Sequence, residues 1–222
     1  MAVSASSVLR RAGDILQDNG CVGWTVGELV RWLNDGQLEI CVARPDARTV
    51  FGSVALAAGD TRQVLPAGAT KLMDVVRNTA NGKLAIRMID REQLDEQLPG
   101  WHGATSAAVI RHAMFDARDP TTFWVYPPAA AGASVDALYG VLPTDIAEPA
   151  SGDYSAVVGS ISVRDIFKNA LLDYVLYRAY SKDSDETGNG ARAVAHFQAF
   201  KTALGDEVQA TVAASPAKAT SS

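Results

Sequence analysis

Histidine and cysteine are the residues of this chain best suited to bind a metal, but their spacing does not suit a metal site. The histidines are His102, His112 and His196, and the cysteines are Cys21 and Cys41. Metal sites draw their ligands from clusters at helical or turn spacing, such as His-x-x-His, Cys-x-x-Cys or Glu-x-x-His. The sequence contains none of these three patterns. We therefore expect no metal site and no cofactor.

Motifs for nucleophilic catalysis and phosphate binding are also incomplete. The segment Gly159-Ser160-Ile161-Ser162 lacks the final glycine of a hydrolase elbow, and neither glycine-rich phosphate loop is present. The acidic pairs Asp90 with Glu92 and Asp95 with Glu96 would need to face each other across a cleft to act as acid and base. Such side chains in a turn are usually solvated, so we predict no catalytic residue and no enzymatic activity.

The composition is that of a globular protein that does not grip nucleic acid. Of the 222 residues 48% are hydrophobic, and the formal net charge is −5. Surfaces that hold nucleic acid are usually basic, whereas an acidic surface lets DNA slide past. The first eleven residues lack the apolar core of a signal peptide, and no apolar run is long enough for a membrane helix. We expect a soluble protein with free thiols and no membrane partner.

The organisation of the chain predicts an α+β fold in which helices flank a β domain. Residues 1–45 contain two helical patterns, the second starting with the capping box Thr25-Val26-Gly27-Glu28. Its buried stripe comprises Leu29, Val30, Leu33, Ile40 and Cys41. Residues 161–205 return to helix after the β domain, with one helix to about Lys182 and a second over 191–204 that stops at Gly205. The two ends together form a helical bundle.

Residues 46–160 read as an inserted antiparallel β domain. Short runs rich in β-branched and aromatic residues alternate with Gly, Pro, Asn and Asp. Asn81-Gly82 is the strongest turn signal, because a type I′ turn needs positive φ at both central residues. The predicted strands cover 49–57, 61–65, 71–78, 83–89, 112–116, 122–126 and 134–142. Residues 206–222 are rich in Ala, Ser and Thr, which predicts a flexible extended arm.

The helix over 163–182 carries apolar residues on two sides. At about 100° per residue, one face holds Val163, Ile166, Phe167, Ala170, Leu171, Tyr174 and Tyr177. Leu172 and Leu176 lie on the opposite side, so the helix is either enclosed within its own chain or covered by a neighbouring subunit. We favour the neighbour and predict an oligomer interface at Asp165, Lys168, Leu172, Leu176 and Tyr180.

The same helical segments resemble a known protein family. An Ala-Leu-x-x-Tyr helix (170–174) precedes an Arg-Ala-Tyr-x-Lys-Asp turn (178–183) and a helix with the pair Phe197 and Phe200. Near the N-terminus, Trp32-Leu33-Asn34-Asp35-Gly36-Gln37 is similar to the opening helices of the same group. These segments, about 65 residues in all, resemble the head-to-tail adaptor, or connector, proteins of tailed bacteriophages. The β domain matches that family by position only.

The resemblance implies a non-catalytic structural protein of the virion. Such adaptors form a ring, here expected to contain twelve copies, that docks under the portal at the head–tail junction after synthesis in the host cytoplasm. The implied partners are other copies of the chain, the portal protein and a tail or nozzle protein. DNA is expected to pass through the ring without sequence-specific binding. The implied arm toward the portal includes Val208, Val212, Pro216 and Lys218.

Two other interpretations remain open at this point. The chain is alternatively another virion or tail protein whose β-rich module binds a partner or a glycan. Exposed aromatic side chains, such as Trp101 or Trp124 in a loop, would favour that alternative. An enzyme with an unrecognised site in the β domain is the third and weakest alternative, because histidine is scarce.

Overall fold

The computed structural model describes residues 2–150, 152–183 and 185–214, with side-chain environments given as far as Gly205. The chain forms two compact units: one contains the residues up to Arg44 and those from Pro143 onward, and the other is Pro45–Leu142. The first unit is helical and the second is built mainly from strands, which confirms the predicted α+β class.

Five helices and seven strands make up the regular structure of the described residues. In chain order the helices are α1 (Ala5–Leu16), α2 (Val26–Ala43), α3 (Arg91–Gln97), α4 (Lys168–Lys182) and α5 (Asn189–Ala214). The strands are β1 (Thr49–Ala55), β2 (Arg62–Val64), β3 (Ala69–Asn78), β4 (Arg87–Met88), β5 (His112–Phe115), β6 (Thr122–Tyr126) and β7 (Ser134–Val141).

Side-chain caps fix where the first two helices begin. The Ser4 hydroxyl accepts a hydrogen bond from the Ser7 amide at 3.2 Å at the start of α1. At the start of α2, Thr25 accepts from the Glu28 amide at 3.3 Å, and the Glu28 carboxylate accepts from the Thr25 amide at 3.2 Å. The predicted capping box is thus confirmed, and both bonds satisfy amides that have no partner within the helix.

Helix α4 is the central element of the helical unit. It packs against α1, α2 and α5, and a 3-10 turn (Asp165–Phe167) leads into it. The α4 residues Ala170, Leu171, Leu172, Tyr174, Val175, Leu176, Ala179 and Tyr180 are buried. Helices α1 and α2 supply the facing apolar stripes, including Val8, Leu9, Leu29 and Leu33.

The second unit contains two sheets around one apolar core. The first sheet has the strand order β1-β7-β3 and the second β2-β6-β5-β4. Val54, Leu72 and Val135 of the first sheet share a buried cluster with Phe123 and Val125 of the second. Helix α3 and the turn at Trp101 cover the other face of the second sheet, where Leu94, Trp101 and Met114 form a separate cluster.

The predicted strand over 83–89 divides between the two sheets. After the turn at Asn81 (φ 56°) and Gly82 (φ 76°), Ala85 pairs with Arg77 of β3. Only Arg87 and Met88 then continue as β4, which pairs with β5 in parallel. The predicted turn is confirmed, but the domain is not purely antiparallel, because this run leaves one sheet to join the edge of the other.

Two predicted boundaries of the helical unit are wrong. Residues 143–160 belong to the helical unit and not to the β domain, since Ile146 bonds to Asn34 and Tyr154 packs against Gly13. Helix α5 does not stop at Gly205 but continues to Ala214. One glycine costs a helix only about 1 kcal/mol, and the alanines that follow favour helix.

Candidate functional site

The second apolar side of α4 is covered by other helices of the same chain. Leu172 is 6% exposed and Leu176 is 1% exposed within a single copy. They lie on the side of α4 that bears Asn169, and the Arg11 guanidinium of α1 donates to the Asn169 side chain at 3.2 Å. Three helices of the same chain therefore cover these leucines, and not a neighbouring subunit as predicted.

Of the other three residues predicted for the interface, one is buried and two are exposed. Tyr180 is buried and stacks on His196 with ring centroids 5.7 Å apart. Asp165 and Lys168 are exposed, and the Asp165 carboxylate accepts from the Val3 amide at 3.0 Å. Of the five residues predicted for the oligomer interface, Asp165 and Lys168 are the two that remain accessible to a second copy.

The N-terminal segment that carries the family resemblance anchors the chain after residue 143. Asn34 donates to the Ile146 carbonyl and accepts from the Ile146 amide, both at 3.0 Å. One helical turn later, the buried Gln37 side chain accepts from the Ser162 amide. Both contacts satisfy backbone groups that lack a helix or sheet partner, so this part of α2 holds the returning chain in place.

Gly36, between these two residues, lets α4 approach α2 closely. A Cβ atom at Gly36 would lie 2.9 Å from the Tyr174 ring and 3.2 Å from the Leu171 side chain. The glycine that weakens α2 on paper is thus required by the packing of the two helices.

The C-terminal segment of the resemblance forms an aromatic contact between α4 and α5. Tyr174 packs edge-on against Phe200 at 5.1 Å between ring centroids, and Tyr177 packs against Phe197 at 4.8 Å. Ordered aromatic pairs add to the free energy gained from burial alone. The Phe-x-x-Phe pair is therefore a packing element of the bundle.

Polar residues at the C-terminal end of α4 stabilise this end of the helix. The Lys182 ammonium donates to the Glu28 carboxylate at 2.7 Å, and this hydrogen bond is the leading cause that lowers the pKa of Glu28. The Asn189 amide group donates to the Asp183 carboxylate at 2.9 Å at the start of α5. The Arg-Ala-Tyr-x-Lys-Asp segment, which forms the last turn of α4 and its C-cap, thus connects the end of α4 to α2 and to the start of α5.

One cleft of about 440 Å³ in the second unit contains several of the acidic residues that were considered as an acid–base pair. Its lining includes Asp90, Glu92 and Glu96 of the acidic pairs, together with Asp116 and Arg118. Hydrogen bonds from the Arg118 side chain and amide lower the pKa of Asp116 to about 2, so its carboxyl is ionised at neutral pH. Asp95 instead accepts from the Trp101 indole at 2.7 Å. The cleft thus combines several carboxylates with the guanidinium groups of Arg91 and Arg118.

The side chains around each of the three histidines belong to the fold of the unit that contains it. His102 bonds to the Thr61 hydroxyl at 2.8 Å, and His196 bonds to the Asp173 carboxylate at 2.9 Å. Burial and the neighbouring Arg87 and Arg111 lower the pKa of His112. The described residues contain no group of three His, Cys, Asp or Glu side chains that could hold a metal ion.

The tryptophans named for a glycan or partner surface are not free aromatic platforms. Trp101 is fully buried, and the Arg91 guanidinium lies over the half-buried Trp124 ring at 5.1 Å. Within the described part of the chain, no helix is long and apolar enough to cross a membrane. Cys21 and Cys41 do not form a disulfide bond within the described part of the chain.

Helices α2 and α5 expose apolar side chains that the sequence analysis did not single out. Leu38 is 44% exposed and Val42 is 70% exposed on α2, and Val194 is 61% exposed on α5. Leu38 and Val42 fall outside the buried stripe of α2, four residues apart. That spacing was the available signal for a second apolar face.

The predicted portal arm begins within α5. Val208 and Val212 are part of α5, and their side chains are not described. Pro216 and Lys218 lie outside the described residues. For residues 206–214 the helix replaces the predicted extended arm.

Comparison with known proteins identifies the family. Residues 3–220 match the family described as "SU10 adaptor protein". No curated protein matches the chain. The match spans both units, including the β domain that the sequence motifs did not reach. The chain therefore belongs to the SU10 adaptor protein family, a family of phage head-to-tail adaptors, which confirms the resemblance carried by its helices.

Proposed function

We propose that this protein assembles with copies of itself into a non-catalytic ring that joins the phage portal to the tail and extends the DNA channel. The family match over residues 3–220 is the observation that carries the proposal. Its partners are then the portal protein on one side and a tail or nozzle protein on the other, and its place in the virion is the head–tail junction.

The surface of the helical unit supports self-assembly. Its helices expose apolar side chains that include Leu38, Val42 and Val194. Exposed apolar side chains gain free energy when a second copy removes them from water. Closed rings arise when the same head-to-tail contact repeats around an axis.

The charge of the chain suits a DNA channel. The formal net charge is −5, and the charged cleft of the second unit contains both carboxylates and guanidinium groups. A surface of this kind gives DNA no continuous cationic track, so that DNA slides past without sequence-specific binding. We expect twelve copies in the ring, and we expect Val208, Val212, Pro216 and Lys218 to contact the portal.

The test is to mix the purified chain with purified portal rings of the same phage. Size-exclusion chromatography with light scattering then gives the mass of the complex. We expect a complex with one copy of the chain per portal subunit, whether or not the chain forms rings by itself. A chain that neither self-assembles nor co-elutes with the portal would contradict the proposal.

A further inference from the structure

Helix α2 exposes a face that is both apolar and acidic. Leu38 and Val42 are flanked by Asp35 and Glu39, and all four side chains are exposed. This face is opposite the stripe of Leu29, Leu33, Gly36 and Ile40 that α2 buries. Asp35 and Glu39 form no ion pair within the part of the chain that the structure describes. The chain itself thus leaves two carboxylates and two aliphatic side chains without partners here.

Helix α5 exposes a face of the opposite charge. Val194 is exposed together with the small or neutral residues Ala191, Ala195, Gln198 and Thr202. Residues 189–205 contain the cationic Arg192 and Lys201 and no acidic residue. The Arg192 guanidinium lies 5.6 Å from the Tyr180 ring centroid, and the Lys201 ammonium lies 5.4 Å from that of Phe197. These aromatic contacts hold the cations at the two edges of the exposed face.

The two faces are complementary to each other but not to themselves. Contact between two α2 faces would bring the carboxylates of Asp35 and Glu39 together, and contact between two α5 faces would do the same for cations. Like charges in apposition cost free energy at an interface, whereas opposite charges set partner choice and register. A contact between α2 of one copy and α5 of the next places apolar side chains against each other and pairs the charges.

The placement of α2 and α5 around α4 makes such a contact repeatable. Gly36 of α2 meets Leu171, and Glu28 meets Lys182. On the α5 side, Asp173 bonds to His196, and Tyr177 packs on Phe197. At about 100° per residue, these two sides of α4 are more than about 100° apart. The outer faces of α2 and α5 therefore point in different directions, as a head-to-tail contact between successive copies requires.

We propose that the α2 face of Asp35, Leu38, Glu39 and Val42 binds the α5 face of Arg192, Val194 and Lys201 on a second copy of the chain. This inference rests on the proposed function, because it assigns the faces through which the ring subunits join.

The test uses two charge-reversed full-length chains. The first carries Asp35→Lys and Glu39→Lys, so both of its faces are cationic. The second carries Arg192→Glu and Lys201→Glu, so both are acidic. All four positions are exposed, and circular dichroism checks that each variant keeps its helices. Native mass spectrometry in the presence of portal rings then counts the copies that assemble.

We expect each variant alone to assemble at least about tenfold more weakly than the wild type, which corresponds to about 1.4 kcal/mol. An equimolar mixture of the two should recover assembly, because every contact in an alternating ring then joins opposite charges. The control carries Lys71→Glu and Asp74→Lys, both exposed on β3, and should assemble like the wild type.

The outcomes separate the inference from the proposed function. If both variants assemble normally, or if their mixture shows no recovery, the α2–α5 contact is wrong while the adaptor ring stands. If the wild-type chain itself neither self-assembles nor binds the portal, the proposed function is wrong and the inference falls with it.

Discussion

At the residue scale, Gly36 is the position where helix propensity and packing disagree most clearly. Glycine in a helix interior costs about 1 kcal/mol relative to alanine. The Tyr174 ring, however, lies where the Cβ of any other residue would go. Tyr174 is itself buried and held by Phe200, so it cannot move aside without disturbing a second contact.

We therefore predict that Gly36→Ala destabilises the protein despite the better helix propensity of alanine. Overpacking a buried site costs about 1–3 kcal/mol, which outweighs the gain. Chemical denaturation measures the change in the free energy of unfolding. The matched control is Gly205→Ala in α5, where a Cβ meets nothing within 4 Å, and it should leave stability unchanged or raise it. Equal stabilisation by both substitutions would contradict the packing role of Gly36.

Asp18 gives the loop between α1 and α2 a dependence on pH. Its carboxylate accepts from the amides of Val22, Gly23 and Trp24 at 2.8–2.9 Å. Desolvation tends to raise the pKa of Asp18, but the three amide bonds outweigh it, so the pKa lies below its ordinary value of 3.8. A depressed carboxyl pKa stabilises the fold above pH 3.8, and this contribution is lost as pH falls through the folded-state value.

The corresponding prediction concerns Asp18→Asn. The wild type should lose stability as the pH is lowered from 5 toward 2, and the variant should lose less over the same range because its amide does not titrate. Thermal unfolding at a series of pH values measures both curves, with Asp14→Asn in α1 as the control. Parallel curves for wild type and Asp18→Asn would mean that the loop bonds contribute no pH dependence.

At the element scale, the return of the chain to the helical unit depends on contacts made far apart in sequence. Asn34 and Ile146 are separated by 112 residues in the sequence, and Arg31 and Glu148 are separated by 117 residues. The motif around Asn34 was recognised in the sequence, but its partner was not, because residues 143–160 contain few periodic apolar positions. This is why the sequence assigned that segment to the β domain.

We predict that Asn34→Asp loosens the segment after Pro143. The carboxylate still accepts from the Ile146 amide but cannot donate to the Ile146 carbonyl, which leaves two oxygens in repulsion. Losing a part-buried hydrogen bond in this way costs about 1–3 kcal/mol. Hydrogen exchange should show faster exchange at the Ile146 amide, with Asn169→Asp as an exposed control. Unchanged protection at Ile146 would show that other contacts hold the segment.

The enclosure of α4 by its own chain leads to a separate prediction. Leu176→Ala should lower the free energy of unfolding by about 2–5 kcal/mol, because the side chain is buried within one copy. Ile166→Ala, at a position 51% exposed, should change it by less than about 0.5 kcal/mol. Denaturation at low protein concentration makes the comparison. If the Leu176→Ala variant had normal stability and failed only in assembly, Leu176 would belong to the subunit interface after all.

Helix periodicity alone could not show whether the second apolar side of α4 is enclosed by its own chain or covered by a neighbouring subunit. The two-sided apolar pattern was present in the sequence, and it required enclosure by something. The positions of α1, α2 and α5 around α4 depend on long-range contacts that no local pattern encodes. In α2, only the buried stripe was predicted from the sequence; Leu38 and Val42, which occupy another face of the helix, were not considered as a second apolar surface.

For the whole molecule, the division of the chain into helical ends and an inserted β domain followed from changes in periodicity and from turn signals. Six of the seven strands match the predicted runs closely, since Gly, Pro, Asn and Asp mark their ends. The prediction for residues 83–89 was wrong, because the pairing partners of a strand, and not its composition, decide where it changes from one sheet to the other. The end of α5 failed because a single Gly was taken as a stop signal.

We propose that this adaptor lies between the portal and the tail, and electron cryomicroscopy of the intact phage particle can locate it. We expect a ring of density at the head–tail junction into which the helical unit and the β unit of this chain each fit, with α2 of one copy facing α5 of the next. A particle in which density for this chain lies elsewhere, with the portal contacting the tail directly, would contradict the account.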